Sequence, residues 1–215
     1  MINQLLAVGA PIPIGNFIQG GYFAGYYSMN GNNIATHGLI VAPKSGGETT
    51  NKFSSYYPDS DSRSFFDGAT NTANADSLSG SPAFKFCSDL SLNGYSDWYL
   101  PSVHELQLAY LNFKPTTNQN AGNAYDTSSY AVPQFFNAWS STFPAQTTIP
   151  TFQNTGSNFF STTSSSYQYY WSSTVSDTAF AYGFDFNNGR RVNIQKTYYH
   201  RIRAFRKVPL GTLYS

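Results

Sequence analysis

The side chains of this sequence that have chemistry to offer are few, and their spacing excludes more than it permits. His104-Glu105 is the one place where a histidine adjoins a carboxylate, a pair that could hold a metal or move a proton. A zinc-binding helix needs a second histidine four residues after the first, and none follows. Glu105 instead stands three residues after Ser102, the spacing of a helix-capping box, which is the simpler reading. Asp177 and Asp185 bracket the region read below as a display surface and form a candidate carboxylate pair for glycoside hydrolysis. Asp185 alternates with Phe184 and Phe186, so a strand would turn it to solvent, and nothing sets the two carboxylates face to face. Cys87 is the single cysteine, which excludes an intrachain disulfide or a thiolate zinc site within one chain; in Ala83-Phe84-Lys85-Phe86-Cys87 it reads as a buried thiol on a helix face. Gly20-Gly21 lacks the spacing of a phosphate-binding loop. No catalytic residue is assigned.

Binding chemistry is better represented. Between Tyr170 and Arg206 two apolar strand patterns, Ala181–Phe186 and Ile202–Arg206, flank Asn187-Asn188-Gly189, and Asn-Gly between alternating segments is a strong hairpin signal. Ala181, Phe184, Phe186, Val192, Ile194, Ile202, Ala204 and Phe205 can fill a core. Asn187, Asn188, Arg190, Arg191, Asn193, Gln195, Tyr198, Tyr199 and His200 have no evident core role, so the stretch reads as a rigid hairpin displaying a varied surface. Of the 12 Lys and Arg in the chain, seven, Arg190, Arg191, Lys196, Arg201, Arg203, Arg206 and Lys207, fall within 190–207, with only Asp185 opposing them nearby. They read either as a local positive face open to an acidic glycan or, for Arg201, Arg203 and Lys207, as the solvent side of one strand.

Several elements must position these groups. At 215 residues with 18% aromatic and 11% charged side chains, the composition fits one domain rich in strands, turns and ordered loops, since so many rings can offset chain entropy. A net charge of +1 gives no global field to recruit nucleic acid or an anionic membrane. The amino terminus does not resemble a secretory signal, and no apolar run of about 18 residues is present to span a bilayer. Residues 1–13 read as a short apolar extension that could dock on a partner subunit or pack on its own domain. Segments 15–27 and 37–42 around Asn30-Gly31-Asn32-Asn33 read as two strands and a turn, and 43–80 as polar loops. Ser81-Pro82 opens one helix, with Gly94 as its left-handed stop; Ser102 opens another that carries Val103, Leu106, Tyr110 and Phe113 on one face. Residues 127–176 hold no charged side chain. That stretch is read as packed against another chain, as a hydroxyl- and ring-rich surface for sugars, or as an insertion folded on its own domain.

A family resemblance rests on Gly94-Tyr95-Ser96-Asp97-Trp98-Tyr99-Leu100-Pro101-Ser102-Val103-His104-Glu105-Leu106, with His37–Ala42 upstream and Tyr170-Trp171-Ser172-Ser173-Thr174, Phe184–Gly189 and Arg201–Arg206 downstream. In this order the motifs resemble the Lcl C-terminal-like domain family, related to formylglycine-generating enzymes and to the variable proteins of diversity-generating retroelements. The resemblance runs from about Ile14 to Lys207. It implies an α+β, C-type-lectin-like fold with two helices, small twisted antiparallel sheets and long ordered loops, filling 14–207 with an uncharged insertion at about 127–168 and a tail at 208–215. It implies structural roles for Asp97, Trp98, Pro101, Ser102, Glu105 and Trp171, with Trp98 in the core and Asp97 bonded to nearby backbone. The catalytic cysteines of the formylglycine-generating enzymes have no counterpart. The hypervariable positions of the variable proteins map onto Val175, Ser176, Asp177, Thr178, Tyr182, Asn187, Asn188, Arg190, Arg191, Asn193, Gln195, Lys196, Tyr198, Tyr199 and His200. Calcium is the one metal such folds imply, through oxygens of Asp59-Ser60-Asp61 and Asp67, but no EF-hand-like spacing supports it, and no cofactor is assigned.

The expectation that follows is a non-enzymatic ligand-binding module, foremost a phage tail receptor-binding protein that recognises a cell-surface glycan or protein. Its partners would then be the host receptor, other virion proteins and further copies of itself, with a trimer usual for tail-tip proteins; nucleic acid and membrane are not among them. Its place would be the virion, or the extracellular surface if the chain is bacterial. The alternatives are a structural tail or capsid decoration protein, a secreted bacterial adhesin and a glycan depolymerase.

Overall fold

The computed structural model describes residues 10–55, 64–76, 80–121, 128–135, 139–162 and 169–214. Asp59-Ser60-Asp61, Phe136 and the first nine residues of the extension lie outside them. Two five-stranded sheets and five helices make up the mixed α/β fold of the described residues. The first sheet runs β1 (Phe17–Ile18), β2 (Gly21–Tyr27), β3 (His37–Val41) and β10 (Phe205–Pro209), with β5 (Ala131–Val132) beside β2. The second runs β4 (Glu48–Lys52), β9 (Tyr199–Arg203), β6 (Tyr170–Val175), β7 (Phe180–Asp185) and β8 (Arg190–Gln195). Its pairings are antiparallel apart from β6 with β9.

The turn expected at Asn30–Asn33 joins β2 to β3 in antiparallel register, Tyr22 against Val41 and Tyr27 against His37. Ile202–Arg206 is not one strand. The chain changes sheets at Ala204, whose carbonyl accepts from Ala42 and whose amide donates to Gly47, so β9 finishes in the second sheet and β10 begins in the first. Residues 43–80 are not loops alone: they hold the one-turn α1 (Lys44–Gly47), β4 and α2 (Gly68–Asp76). The two expected helices are α3 (Pro82–Ser88) and α4 (Val103–Phe113), and α5 (Leu210–Leu213) adds a turn after β10. Helix α3 stops at Ser88 on an Asp89 in right-handed conformation, ahead of Gly94, whose positive φ of 84° serves the turn that follows.

Two cores meet across β6, which gives Trp171 to one and Tyr170 to the other. Trp98, Trp171, Phe84 and Cys87 lie in one; Leu106, Tyr110, Phe113, Phe184 and Phe205 lie in the other. Burial pushes the Cys87 thiol far above its ordinary pKa, so it is an inert packing group. Trp139, Phe152 and Phe160 of the uncharged stretch are buried in the second core, so its described part folds on its own domain. The capping box of α4 is present as read, with Glu105 Oε2 accepting from Ser102 N at 2.7 Å. Each such cap stabilises a helix by about 1 kcal/mol.

Candidate functional site

The hairpin β7–β8 keeps strict antiparallel register from Phe180 against Gln195 to Asp185 against Arg190. Its turn is fixed locally: the Asp185 carboxylate accepts the Asn187 amide at 2.8 Å, and the Gly189 amide donates to the Asp185 carbonyl at 2.7 Å. Gly189 has a φ of 78°, and an added Cβ would fall 2.5 Å from the Tyr110 ring, so only glycine fits. Alternation sends Ala181 and Ile194 into the first core. On the other face Phe184 enters the second core, whereas Tyr182 and Arg191 stay half-buried and Asn193 is exposed.

Those outer residues form one structure. The Arg191 guanidinium lies 4.7 Å over the Tyr182 ring and 5.6 Å over Phe65, and the two rings are 5.4 Å apart. From Phe65 the aromatic run continues to His104 at 6.3 Å; Tyr130 lies 5.6 Å from His104 and stacks on Phe66 at 4.2 Å. Asn193 Nδ2 donates to Ser176 Oγ at 3.1 Å. Phe65 is held from three sides. Thr174 Oγ1 of β6 donates to the Ser64 carbonyl at 2.9 Å, Asn71 Nδ2 donates to the same oxygen at 2.7 Å, and the His104 amide donates to the Phe65 carbonyl at 2.9 Å. The buried hydroxyls of Ser172, Ser173 and Thr174 are thus bonded ties between the frame and the site. Phe65, Phe66 and Tyr130 were outside the sequence-derived set, and His104 entered it only as a neighbour of Glu105; the available signal for the first two was a Phe-Phe pair in an otherwise polar stretch. Burial, aided by Arg191, lowers the pKa of His104 to about 4, so it presents a neutral imidazole near pH 7.

The remaining display candidates divide three ways. Asn187, Asn188 and Arg190 sit at the turn end, where Asn118 Nδ2 donates to Asn187 Oδ1 at 2.6 Å and Asn188 Oδ1 accepts the Arg190 amide at 3.0 Å. At the opposite end Tyr198 and Tyr199 are 57% and 47% exposed, Gln195 is half-buried, and Asp177 caps its own turn by accepting the Ala179 and Phe180 amides. Lys196 and His200 are not displayed. Lys196 is fully buried, its Nζ donating to the Thr178 carbonyl at 3.0 Å. His200 is 7% exposed, lies 5.3 Å from both Tyr169 and Trp171, and has no partner for its Nδ1. Burial and then Arg201 lower the His200 pKa to about 4. Asp177 and Asp185 fall at opposite ends of β7, which at about 3.3 Å per residue puts them roughly 16 Å apart, beyond the range of a glycosidase pair.

The positive face is likewise absent as drawn, and so is its rival, a solvent-facing row. Arg203 is fully buried, bonded to the Ala42 carbonyl at 2.7 Å and to Glu48 at 2.9 Å. Tyr170 also donates to Glu48, at 2.9 Å, and burial raises its phenol pKa well above normal. Arg206 grips Asp97 through two nitrogens and lies 3.8 Å over the Tyr95 ring. Asp97 therefore bonds a guanidinium, not the neighbouring backbone. Lys207 Nζ lies 2.7 Å from Asp67 and 3.3 Å from Glu105. Asp67, the described member of the calcium set, is thereby engaged by an ammonium, and among the described residues no group of three or more His, Cys, Asp or Glu is placed to hold a metal. No described helix is long and apolar enough to cross a membrane.

No family model matches the chain, and no curated protein matches it. Among solved structures, a fimbrial protein from Bacteroides ovatus ATCC 8483 is similar over 90% of this chain and 48% of its own length, with 13% sequence identity and a TM-score of 0.49. This chain thus spans about half of that protein.

Proposed function

We propose that this chain is a non-enzymatic ligand-binding module with a C-type-lectin-like fold, of the Lcl C-terminal-like kind, acting as a receptor-binding protein of a phage tail. The observation that carries the reading is the Arg191–Tyr182–Phe65 cluster: a cation and rings from two segments, partly open to solvent on a hairpin whose other face is locked into the core. Rings offer faces to sugar C–H groups or to apolar side chains, while Asn193, Ser176 and the guanidinium offer hydrogen bonds. That mixture suits a cell-surface glycan or protein. The return of β10 to pair with β3, and the burial of Trp98 beside the Asp97–Arg206 pair, support the fold assignment. The implied setting is the virion, in contact with other virion proteins and further copies of the chain.

The test is binding of fluorescently labelled protein to whole candidate host cells, beside a Tyr182→Ala/Arg191→Ala variant whose folding is verified by circular dichroism. Saturable binding by the wild type and none by the variant supports the reading, and enzymatic stripping of surface glycans then separates glycan from protein receptors. Equal binding by both removes this face as the receptor site. If neither binds any candidate host, a structural role in an assembly becomes the better account.

A further inference from the structure

Among the ion pairs of the described residues, one has the makings of a covalent bond. Arg203–Glu48 and Arg206–Asp97 use guanidinium groups, which stay charged and do not condense with carboxylates under these conditions. Lys85–Asp89 is open to water, and Lys44–Glu48 is 3.7 Å apart. Lys207 differs in every respect. Its Nζ lies 2.7 Å from Asp67 Oδ1 and 3.3 Å from Glu105 Oε1; the lysine side chain is 7% exposed, Asp67 18% and Glu105 not at all. The rings of Tyr99 and Tyr27 stand 5.5 and 5.8 Å from the same nitrogen. A nucleophile in contact with a carboxyl group, a second carboxyl within reach of the same proton, and ring walls that shield the amine from most water favour amide formation by proximity.

We propose that Lys207 and Asp67 form an intramolecular isopeptide cross-link, with Glu105 as the group that transfers the proton. Glu105 takes a proton from the ammonium, and the freed Nζ lone pair adds to Asp67 Cγ. The adduct gives up a second nitrogen proton, and one carboxyl oxygen leaves as water, protonated by Glu105, which ends as it began. One N–C bond forms and one C–O bond breaks. Two of the three ammonium protons depart with the oxygen, the opposite charges of the pair cancel, and no oxidant or cofactor is consumed. Burial alone lowers the pKa of Lys207, but Glu105 and Asp67 more than offset it and hold the amine charged at rest. The reaction therefore proceeds from a minor neutral form and accumulates after folding. Glu105 is positioned for the task by Ser102 N, Ser102 Oγ and Tyr99 Oη, which all donate to it. The bond would join the start of α2 to β10 across 140 residues of sequence and restrain the unfolded chain as a disulfide does, in a chain whose single cysteine can form none within itself.

Intact-mass spectrometry of the full chain, fresh and after prolonged incubation at mildly alkaline pH, tests this directly. The wild type should lose the mass of one water, and proteolysis should yield a branched peptide joining the segments around Asp67 and Lys207. Lys207→Arg, which keeps the charge but not the condensing amine, should keep its full mass, as should Glu105→Gln, with near-ultraviolet circular dichroism reporting that each is folded. A wild type at full sequence mass after incubation, with peptides around residues 67 and 207 recovered separately, overturns the proposal. So does loss of water that maps elsewhere, or that persists in folded Lys207→Arg.

Discussion

The β7–β8 hairpin and the β9–β10 segment follow one another in the chain, share the second sheet in part, and carry cations at similar density, yet they use them in opposite ways. Arg190 and Arg191 stand at the surface, one exposed at a turn and the other laid over two rings. Arg203, Arg206 and Lys207 are internal, each meeting an acid from a distant segment: Glu48, Asp97, and Asp67 with Glu105. The difference is one of dielectric. A guanidinium half in water gains little from any single contact, whereas a buried one has lost its hydration and depends on every hydrogen bond it makes. The first arrangement leaves a surface whose residues can change without cost to the frame, and the second makes the frame.

The sharpest way to break this contrast is at Arg203. Removing it leaves Glu48 buried against the Tyr170 hydroxyl, with Lys44 the nearest cation at 3.7 Å, and strips donors from the Ala42 and Asn158 carbonyls. Arg203→Ala should lower unfolding stability by about 3–5 kcal/mol, a large share of the roughly 5–15 kcal/mol typical of a domain. Urea denaturation of that variant beside Arg191→Ala measures both. Equal shifts in midpoint would mean that the inner and outer arginines are energetically alike.

Acid should find two largely buried imidazoles, one in β9 and one beside the outer cluster. His200 and His104 are folded as neutral imidazoles with pKa values near 4, against 6.5 ordinarily, so the unfolded chain takes up their protons first. Their contribution to stability is complete above about pH 6.5 and is lost as pH falls toward 4, at no more than about 1.4 kcal/mol per pH unit for each. His200→Phe, which retains a ring between Tyr169 and Trp171, should flatten that slope measurably in thermal melts run across the window. An unchanged slope would place the acid sensitivity elsewhere.

A smaller effect belongs to Arg206, because its partner Asp97 is 60% exposed and can be rehydrated when the guanidinium is removed. Arg206→Ala should cost about 1–2 kcal/mol, mostly through lost stacking on Tyr95 and Trp98. A loss as large as that at Arg203 would show that partner exposure does not set the scale.

What was legible beforehand was local. Asn188-Gly189 announced its hairpin and Ser102 with Glu105 announced its cap, because each depends on residues a few positions apart, whereas the burial of Trp98 was an expectation carried by the family resemblance alone. The inner cations were not legible: period-two alternation assigned Arg201, Arg203 and Lys207 to solvent, while the acids that draw Arg203 and Lys207 inward are many tens of residues away, and a change of sheet at Ala204 resets the alternation. Helix α2 escaped notice because its buried side are Asn71, Thr72 and Ala75, small groups that leave no apolar stripe. Strand β4, Glu-Thr-Thr-Asn-Lys, is polar throughout and owes its place to pairing with β9. The site divided along the same line. Arg191 and Asn193 could be read from the hairpin itself and Tyr182 came from the family resemblance, but Phe65 is brought to them through Thr174, Asn71 and the start of α4.

The smallest expected effect on stability is the largest on function. Arg191→Ala removes a cation lying over two half-exposed rings, an interaction contributing about 0.5–1 kcal/mol at such sites, and Tyr182→Phe removes only a hydroxyl. Both variants should leave the urea midpoint far closer to the wild type than Arg203→Ala does, since the turn, the register and both cores are left in place. Arg191→Ala should nonetheless abolish or strongly weaken saturable binding to host cells, and Tyr182→Phe should separate ring stacking from hydrogen bonding according to how much binding survives. Retained binding in a folded Arg191→Ala variant would shift the receptor site to the other exposed rings of this sheet, Phe180, Tyr198 and Tyr199. A large loss of stability instead would mean that the outer arginine is as much a part of the frame as Arg203, and the division between displayed and structural cations would have to be redrawn.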